Sequence, residues 1–99
     1  MTTGELFESV EQWAKDRGLN DPSIKSKQAL KVMEEVGETM AALARGKQEA
    51  LKDGIGDSIV TLIILAMQCG LSAHDCLAVA YDEIKDRKGK MVNGVFIKE

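Results

Sequence analysis

The pattern of apolar and polar positions predicts that most of the chain is helical. Near the start, apolar residues recur at intervals of three and four, the spacing of one face of an amphipathic helix, and Gly18 would end that helix. A second helix would begin after Pro22, with Ser23 as its N-cap, and stop at Gly46. The apolar face of the first helix, about residues 4 to 17, consists of Leu6, Phe7, Val10, Trp13 and Ala14, and the stripe of the second consists of Leu30, Met33, Gly37, Met40, Ala41 and Ala44.

Two more helices and a short non-helical segment are predicted after Gly46. The third helix covers about residues 48 to 69 and ends before Gly70. The fourth helix would use Ser72 as its N-cap and continue to about Lys88. In the final 11 residues the helical spacing is lost, and the apolar residues around Asn93-Gly94 predict a small turn or strand.

Four helices with short connections in 99 residues indicate a single domain, residues 1 to 99, with an all-α, four-helix-bundle-like architecture. The third helix is apolar on all sides from Ile59 to Met67, and such a helix must be covered all round. A bundle of this size has too few helices to provide that cover alone. We therefore expect further copies of the chain to complete it.

Composition and charge exclude several classes of protein. With 44% apolar residues, 29% charged residues and one Pro, the chain is typical of a soluble, helix-rich globular protein. The net charge is -3, and the basic concentration at residues 85 to 90 is too short to indicate nucleic-acid binding. The most apolar run, residues 58 to 67, is about half the roughly 20 residues that span a membrane. Cys69 and Cys76 lack a CxxC spacing and no leader is visible, so a reducing cytoplasmic location is expected.

Acidic residues are crowded beside the apolar stripe of the second helix. Glu34, Glu35 and Glu38 fall within a sector of about 100°, because successive helical residues are about 100° apart. On the third helix, Asp53 and Asp57 are four residues apart and share one face. Two such charges about 4 Å apart repel by about 4 kcal/mol at an effective dielectric constant of 20. A divalent cation would remove that repulsion.

Carboxylate oxygens are ligands of hard ions such as Mg²⁺ or Mn²⁺, and Mg²⁺ shares its ligand shell with substrate phosphates. The pattern therefore predicts phosphoryl transfer or hydrolysis, with water as the nucleophile. Three glycines, Gly37, Gly54 and Gly56, lie within a turn of these acids. Their missing side chains would leave room for a metal ion, a phosphate or another backbone.

Two interpretations of the acidic residues that involve no metal site stay open. Lys31 lies four residues before Glu35, so the cluster could be a solvated face with weak ion pairs. The segment "DGIGD" at 53 to 57 could be a loop in which Asp57 is the N-cap of a helix that starts at Ser58.

The aromatic, thiol and basic residues have less specific patterns. Trp13 could belong to the core or stack on a nucleobase. Cys69 and Cys76 are expected to be small core residues. The basic residues near the end of the fourth helix could favour its C-terminus through the helix dipole, or they could hold phosphate oxygens.

The acidic residues and their order resemble the pattern of the MazG-like, all-α nucleoside triphosphate pyrophosphohydrolases. That pattern is Glu-Glu-x-x-Glu on one helix, followed by Glu-x-x-Asp on the next. Here "EEVGE" at 34 to 38 matches the first half, and "DGIGD" at 53 to 57 stands in the second. The stretch "EIKDRKGKM" at 83 to 91 resembles the basic end of the fourth helix in small members of the family. The resemblance covers nearly the whole chain.

This resemblance implies a Mg²⁺-dependent enzyme that cleaves an NTP or dNTP between the α and β phosphates, giving a monophosphate and pyrophosphate. It assigns the metal ligands to Glu35, Glu38 and Asp57. The Glu expected three residues before Asp57 is replaced by Gly54, and Asp53, one residue earlier, could serve instead.

The resemblance also implies roles for the remaining polar residues. Glu34 or Glu38 would orient the attacking water, Lys85 and Arg87 would contact phosphates, and Trp13 would contact the base. The family implies a homodimer or homotetramer. The competing expectation is a non-catalytic helical oligomerisation or regulatory module, whose acidic face binds a cation or a basic partner.

Overall fold

The computed structural model describes all 99 residues and is mostly helical, as the apolar spacing predicts. A short 3₁₀ turn precedes the second of four helices, and a two-stranded antiparallel sheet ends the chain. The elements are α1 (Thr3–Asp16), the 3₁₀ turn (Pro22–Ile24), α2 (Lys25–Ala44), α3 (Gln48–Gln68), α4 (Ala73–Ile84), β1 (Gly89–Val92) and β2 (Val95–Lys98).

Helix α1 begins and ends close to the predicted residues. At its start, the Thr2 hydroxyl accepts a hydrogen bond from the Glu5 N–H at 3.1 Å, and the Glu5 carboxylate accepts one from the Thr2 N–H at 3.2 Å. This reciprocal capping box satisfies two of the N–H groups that a helix start leaves free. After the helix, Gly18 adopts a φ of 70°, a left-handed conformation that glycine takes without a steric cost.

The start of α2 differs from the prediction. The Asp21 carboxylate accepts a hydrogen bond from the Ser23 N–H at 2.9 Å and so caps the 3₁₀ turn. Ser23 therefore lies inside that turn, and the N-cap of α2 is Ile24, which makes no side-chain capping bond. The predicted Ser23 N-cap is wrong, because the Asp21 side chain caps the 3₁₀ turn that precedes α2 and Ser23 lies inside that turn. The backbone N–H of Ser23, and then its hydroxyl, lower the pKa of Asp21 from its usual value of 3.8.

Helices α2 and α3 form the most extensive helix–helix contact of the chain, and Gly54 is buried in this contact against Thr39. A Cβ atom on Gly54 would lie 3.2 Å from the Cα of Thr39 and would collide with the Thr39 hydroxyl. The hydroxyl groups near this contact form hydrogen bonds within their own helices. The Thr39 hydroxyl donates to the Glu35 carbonyl at 2.7 Å, and the Ser58 hydroxyl donates to the Gly54 carbonyl at 2.8 Å. Of the three uses considered for the glycines, Gly54 serves the approach of another backbone.

Only eight of the 99 residues are buried, and all of them lie in α1, α2 and α3. Such a small core leaves several expected core positions at the surface. Trp13, Cys69 and Cys76 are exposed, so the expected core position of the two cysteines and the core alternative for Trp13 are wrong for a single chain. The buried residues are Ala14, Thr39, Ala42, Gly54, Thr61, Ile63, Ile64 and Gln68.

Helix α4 begins where predicted but ends early. The Ser72 hydroxyl accepts a hydrogen bond from the Asp75 N–H at 3.4 Å, which confirms the Ser72 N-cap. The helix stops at Ile84, not at Lys88, so the predicted end is wrong. The chain leaves the helix because Lys88 joins the hairpin, where its carbonyl accepts a hydrogen bond from the Glu99 N–H at 2.9 Å.

The final segment is a hairpin that packs against no helix. Asn93 and Gly94 have φ angles of 50° and 79°, so the predicted turn is a two-residue hairpin turn with both central residues left-handed. Together α4 and the hairpin, residues 73 to 98, form the C-terminal arm, in which no residue is buried.

No single helix of the chain has the length and apolar character to cross a membrane. Only α3 and α4 taken together, with a bend of 103° between them, have that length and apolar character.

Candidate functional site

Helices α1, α2 and α3 border a groove of about 380 Å³ that contains two of the predicted metal ligands. One carboxylate comes from α2 and the other from α3, so the groove depends on the packing of these two helices. We call it the Glu35–Asp57 groove. Its lining includes Trp13, Gln28, Lys31, Glu35, Asp57 and Thr61.

Glu35 is the more enclosed of the two acids, with its side chain 14% exposed. The Lys31 ammonium lies 3.1 Å from a Glu35 carboxylate oxygen and 3.8 Å from one of Glu34. The hydrogen bond to Glu35, followed by the negative charges of Glu34 and Glu35, raises the pKa of Lys31 above its usual 10.5. The weak ion pairs considered for this face are therefore present. They also bring a positive group beside Glu35.

Asp57 reaches the groove because of the way α3 is rotated against α2. Gly54 faces Thr39, and Asp57, three residues later, lies about 60° around the helix from that contact. Residues 53 to 57 are helical throughout, so the alternative in which Asp57 caps a helix from Ser58 is wrong. The same rotation explains why position 54 holds glycine and not the glutamate that the MazG resemblance leads us to expect. A side chain at Gly54 would point into the backbone of α2 and not toward a metal ion.

Two hydrogen bonds between residues far apart in the sequence involve the groove lining. The Gln28 side-chain amide donates to the Thr61 carbonyl at 3.0 Å and joins α2 to α3. The Gln68 amide donates to the Leu19 carbonyl at 2.7 Å and holds the segment after α1 against the end of α3. Sequence reasoning missed Gln28 and treated Lys31 only as an ion-pair partner. The spacing of three and four from Gln28 to Lys31 to Glu35 was the available signal.

Trp13 lines both the Glu35–Asp57 groove and a second, mostly apolar groove. This α1–α3 groove has a volume of about 470 Å³, and its lining includes Leu6, Val10, Trp13 and Asp57. Trp13 is 45% exposed, and the Arg17 guanidinium lies over its ring, 4.3 Å from the centroid. An aromatic surface beside two carboxylates suits a ligand that is flat and apolar at one end and carries a positive charge or a bound cation at the other.

Three other predicted acids do not join the groove. Glu34, Glu38 and Asp53 are exposed and are absent from its lining. Nowhere does the structure bring three or more His, Cys, Asp or Glu side chains close enough to share a metal ion. The structure therefore brings Glu35, Asp57 and Trp13 together, and the larger ligand set stays a prediction.

The predicted phosphate contacts also lie away from the groove. Lys85 follows the last residue of α4 and pairs with Asp82 at 3.2 Å. Arg87 lies in the turn before β1, where its N–H donates to the Ile84 carbonyl at 3.0 Å. Neither basic residue lines the groove of its own chain.

Comparison with known proteins gives one similarity to a phage protein. The chain is 45% identical over 64 residues to an "Uncharacterized 18.2 kDa protein in rep-hol intergenic region" of Haemophilus phage HP1 (strain HP1c1). The match covers 65% of this chain but 39% of the phage protein, so the chain spans well under half the length of that relative. No protein-family model and no solved structure matches the chain.

Proposed function

We propose that the chain is a Mg²⁺-dependent nucleoside triphosphate pyrophosphohydrolase with a MazG-type fold that is completed by oligomerisation. Its reaction would release pyrophosphate and a nucleoside monophosphate from an NTP or dNTP. The observation that carries this proposal is that Glu35 and Asp57, from two different helices, line one groove beside Trp13. The order of the acidic residues along the chain supports the same conclusion.

The two groove carboxylates fit Mg²⁺. This ion is usually held by one or two protein carboxylates, with water and substrate phosphates completing its shell. Glu35 and Asp57 are such a pair, and the Lys31 ammonium at 3.1 Å from Glu35 is consistent with a groove that favours positive charge. When bound, Mg²⁺ would neutralise phosphate charge and favour attack by water at phosphorus.

The remaining roles follow from where each residue lies. Lys31 would turn from Glu35 to a phosphate oxygen of the substrate, because both are anionic oxygen acceptors within reach of a flexible ammonium. Glu38, one turn after Glu35 on the same helix, or Glu34, would orient the attacking water. Asp53, one turn before Asp57, is a further proposed ligand.

The outer parts of the substrate would meet other surfaces. Trp13 would stack on the base, since its ring borders both grooves and is half exposed. Lys85 and Arg87 would contact phosphates only if a second subunit supplies them, because neither lines the groove of its own chain. The proposed assembly is therefore a homodimer or homotetramer.

Pyrophosphate release from a panel of NTPs and dNTPs with Mg²⁺ tests the proposal. Asp57→Asn and Glu35→Gln should each lower kcat/KM by about 100-fold or more, equivalent to about 2.7 kcal/mol of transition-state stabilisation. Glu49→Gln is the matched control, because Glu49 is an exposed acid in the first turn of α3 and should leave the rate unchanged. Absence of release from every nucleotide, or equal release by Asp57→Asn, would overturn the enzyme assignment.

Asp53→Asn separates the two versions of the metal site. If Asp57 and Glu35 suffice as protein ligands, this variant should retain most of the activity, since Asp53 lies outside the groove lining. A loss as large as that of Asp57→Asn would show that Asp53 replaces the glutamate that the family pattern expects at Gly54.

One observation favours the non-catalytic alternative, a helical module with an acidic cation-binding or partner-binding face. Lys31 already neutralises part of the charge of Glu34 and Glu35. Mg²⁺ should raise the melting temperature of the wild type if the chain is the enzyme or a cation-binding module, because an ion bound only by the folded state stabilises it. Only the enzyme would also release pyrophosphate from a nucleotide in the presence of Mg²⁺.

A further inference from the structure

The chain exposes more surface than a compact monomer of its mass. Its accessible area is 7475 Å², against about 5,500 Å² for a compact monomer of this size, an excess of roughly 1,900 Å². Obligate homodimers bury about 1,000 to 2,500 Å² per subunit. The excess is therefore of the size that a stable homodimer would bury on each chain.

The hairpin contributes apolar side chains on both of its faces. Met91 pairs with Phe96 on one face, and Val92 pairs with Val95 on the other, beside Ile97. All five side chains are exposed, and no helix packs against either face. A two-stranded hairpin is marginally stable in water when it stands alone, so this one requires a surface to cover it.

An apolar groove of about 340 Å³ lies at the junction of α3 and α4, and no charged side chain lines it. We call it the α3–α4 groove. It is formed by the end of α3 and the first turn of α4, whereas the hairpin follows the other end of α4. A helix of 12 residues is about 18 Å long, so the chain's own hairpin lies away from its own groove. The lining includes Leu62, Leu65, Ala66, Cys69, Leu71 and Cys76.

We propose that the hairpin of one chain packs into the α3–α4 groove of a second copy, and that the second hairpin occupies the first groove in return. A two-fold axis makes both contacts at once, and it covers both grooves and the Met91–Phe96 face of each hairpin. We place the Met91–Phe96 face in the groove, because this pair contains the one aromatic side chain of the hairpin. The pairing rests on the exposed surfaces alone and holds whether or not the chain hydrolyses nucleotides.

Analytical ultracentrifugation of single variants and of their mixture tests this pairing. The wild type should be a dimer, and Phe96→Arg and Leu62→Asp should each weaken dimerisation by about 100-fold, because each places a charge at a central apolar contact. Both side chains are about half exposed, so the helical circular dichroism should be unchanged. Mixing the two variants should restore a dimer, which contains one unmodified contact and one Arg–Asp contact.

Three outcomes would overturn the proposal. A wild type that stays monomeric would show that no second copy covers these surfaces. A Phe96→Arg variant that still forms the wild-type dimer would exclude the hairpin from the interface. Failure of the mixture to recover, when each variant alone is monomeric and folded, would show that residues 96 and 62 do not meet.

The two cysteines of the groove allow a direct second test. Met91→Cys places a thiol on the hairpin, and oxidation should join it to Cys69 or Cys76 of the other chain, because a disulfide forms when the Cα atoms approach to about 4.4 to 6.8 Å. Replacing Cys69 and Cys76 with Ser should abolish this covalent dimer. Lys47→Cys, in the turn between α2 and α3, is the control and should not cross-link to the groove. Absence of cross-linking by Met91→Cys would contradict the contact.

Discussion

The body formed by α1, α2 and α3 and the C-terminal arm use apolar residues in opposite ways. The body contains every buried residue of the chain, including Gly54, which packs against Thr39 in the α2–α3 contact. The arm is also rich in apolar residues, but none of them is buried. Apolar composition therefore does not decide where a core forms. A core requires a facing surface, which the body supplies internally and the arm lacks within one chain.

The largest difference should appear when the same substitution is made in both regions. Ile63, in α3, is 2% exposed, whereas Ile84, at the end of α4, is 52% exposed. Ile63→Ala should lower the free energy of unfolding by about 3 kcal/mol through lost packing and a cavity. Ile84→Ala should change it by less than about 0.5 kcal/mol. Urea denaturation at a protein concentration where the chain is monomeric measures both. Equal losses would mean that the arm has a core of its own.

The next effect distinguishes a closely packed glycine from an open one. Gly54→Val should destabilise the chain by about 2 kcal/mol, because the new side chain forces α2 and α3 apart. Gly56→Ala, two residues later, meets no atom within 4 Å and should stabilise α3 by about 0.5 to 1 kcal/mol. Thermal unfolding of the two variants gives opposite signs if Gly54 holds the body together. A tolerated Gly54→Val would contradict that role.

The smallest effect concerns the connection that enters α2. The folded-state pKa of Asp21 lies below its unfolded value of 3.8, so the folded chain releases this proton more readily than the unfolded chain. The stabilisation is therefore present above pH 3.8 and is lost as the pH falls through the lower folded-state pKa. Asp21→Asn should lower the melting temperature slightly at about pH 6, and this difference should shrink as the pH falls below 3.8. A difference that persists in acid would mean that another interaction of Asp21 is responsible.

Local signals in the sequence predict most of the helix ends. Gly18, Gly46 and Gly70 all adopt left-handed conformations just after a helix, and Asn93-Gly94 forms the hairpin turn. These features depend on a few neighbouring residues, so they are visible without the fold. The end of α4 was missed because the strand pairing that competes with helix at Lys88 involves a residue 11 positions away, Glu99.

The candidate site is only partly visible in the sequence, because it depends on helix rotation. Helical spacing places Asp53 and Asp57 on one face, but only Asp57 lines the groove. The contact between Gly54 and Thr39 sets the rotation of α3 against α2, and no local sequence pattern predicts this contact. The exposure of Trp13 is also not predictable from the sequence, because it depends on how far the small core of one chain extends.

The hydrogen bond from Gln68 to Leu19 has a consequence for the order of folding. It joins residues 49 positions apart, whereas the hydroxyls of Thr39 and Ser58, 3.4 Å apart between α2 and α3, are 19 positions apart. Closing the longer loop costs about 0.8 kcal/mol more in chain entropy. We therefore expect α2 and α3 to associate first and α1 to dock afterwards. Since Trp13 and Leu19 both line the Glu35–Asp57 groove, that groove is completed only in the last step of folding.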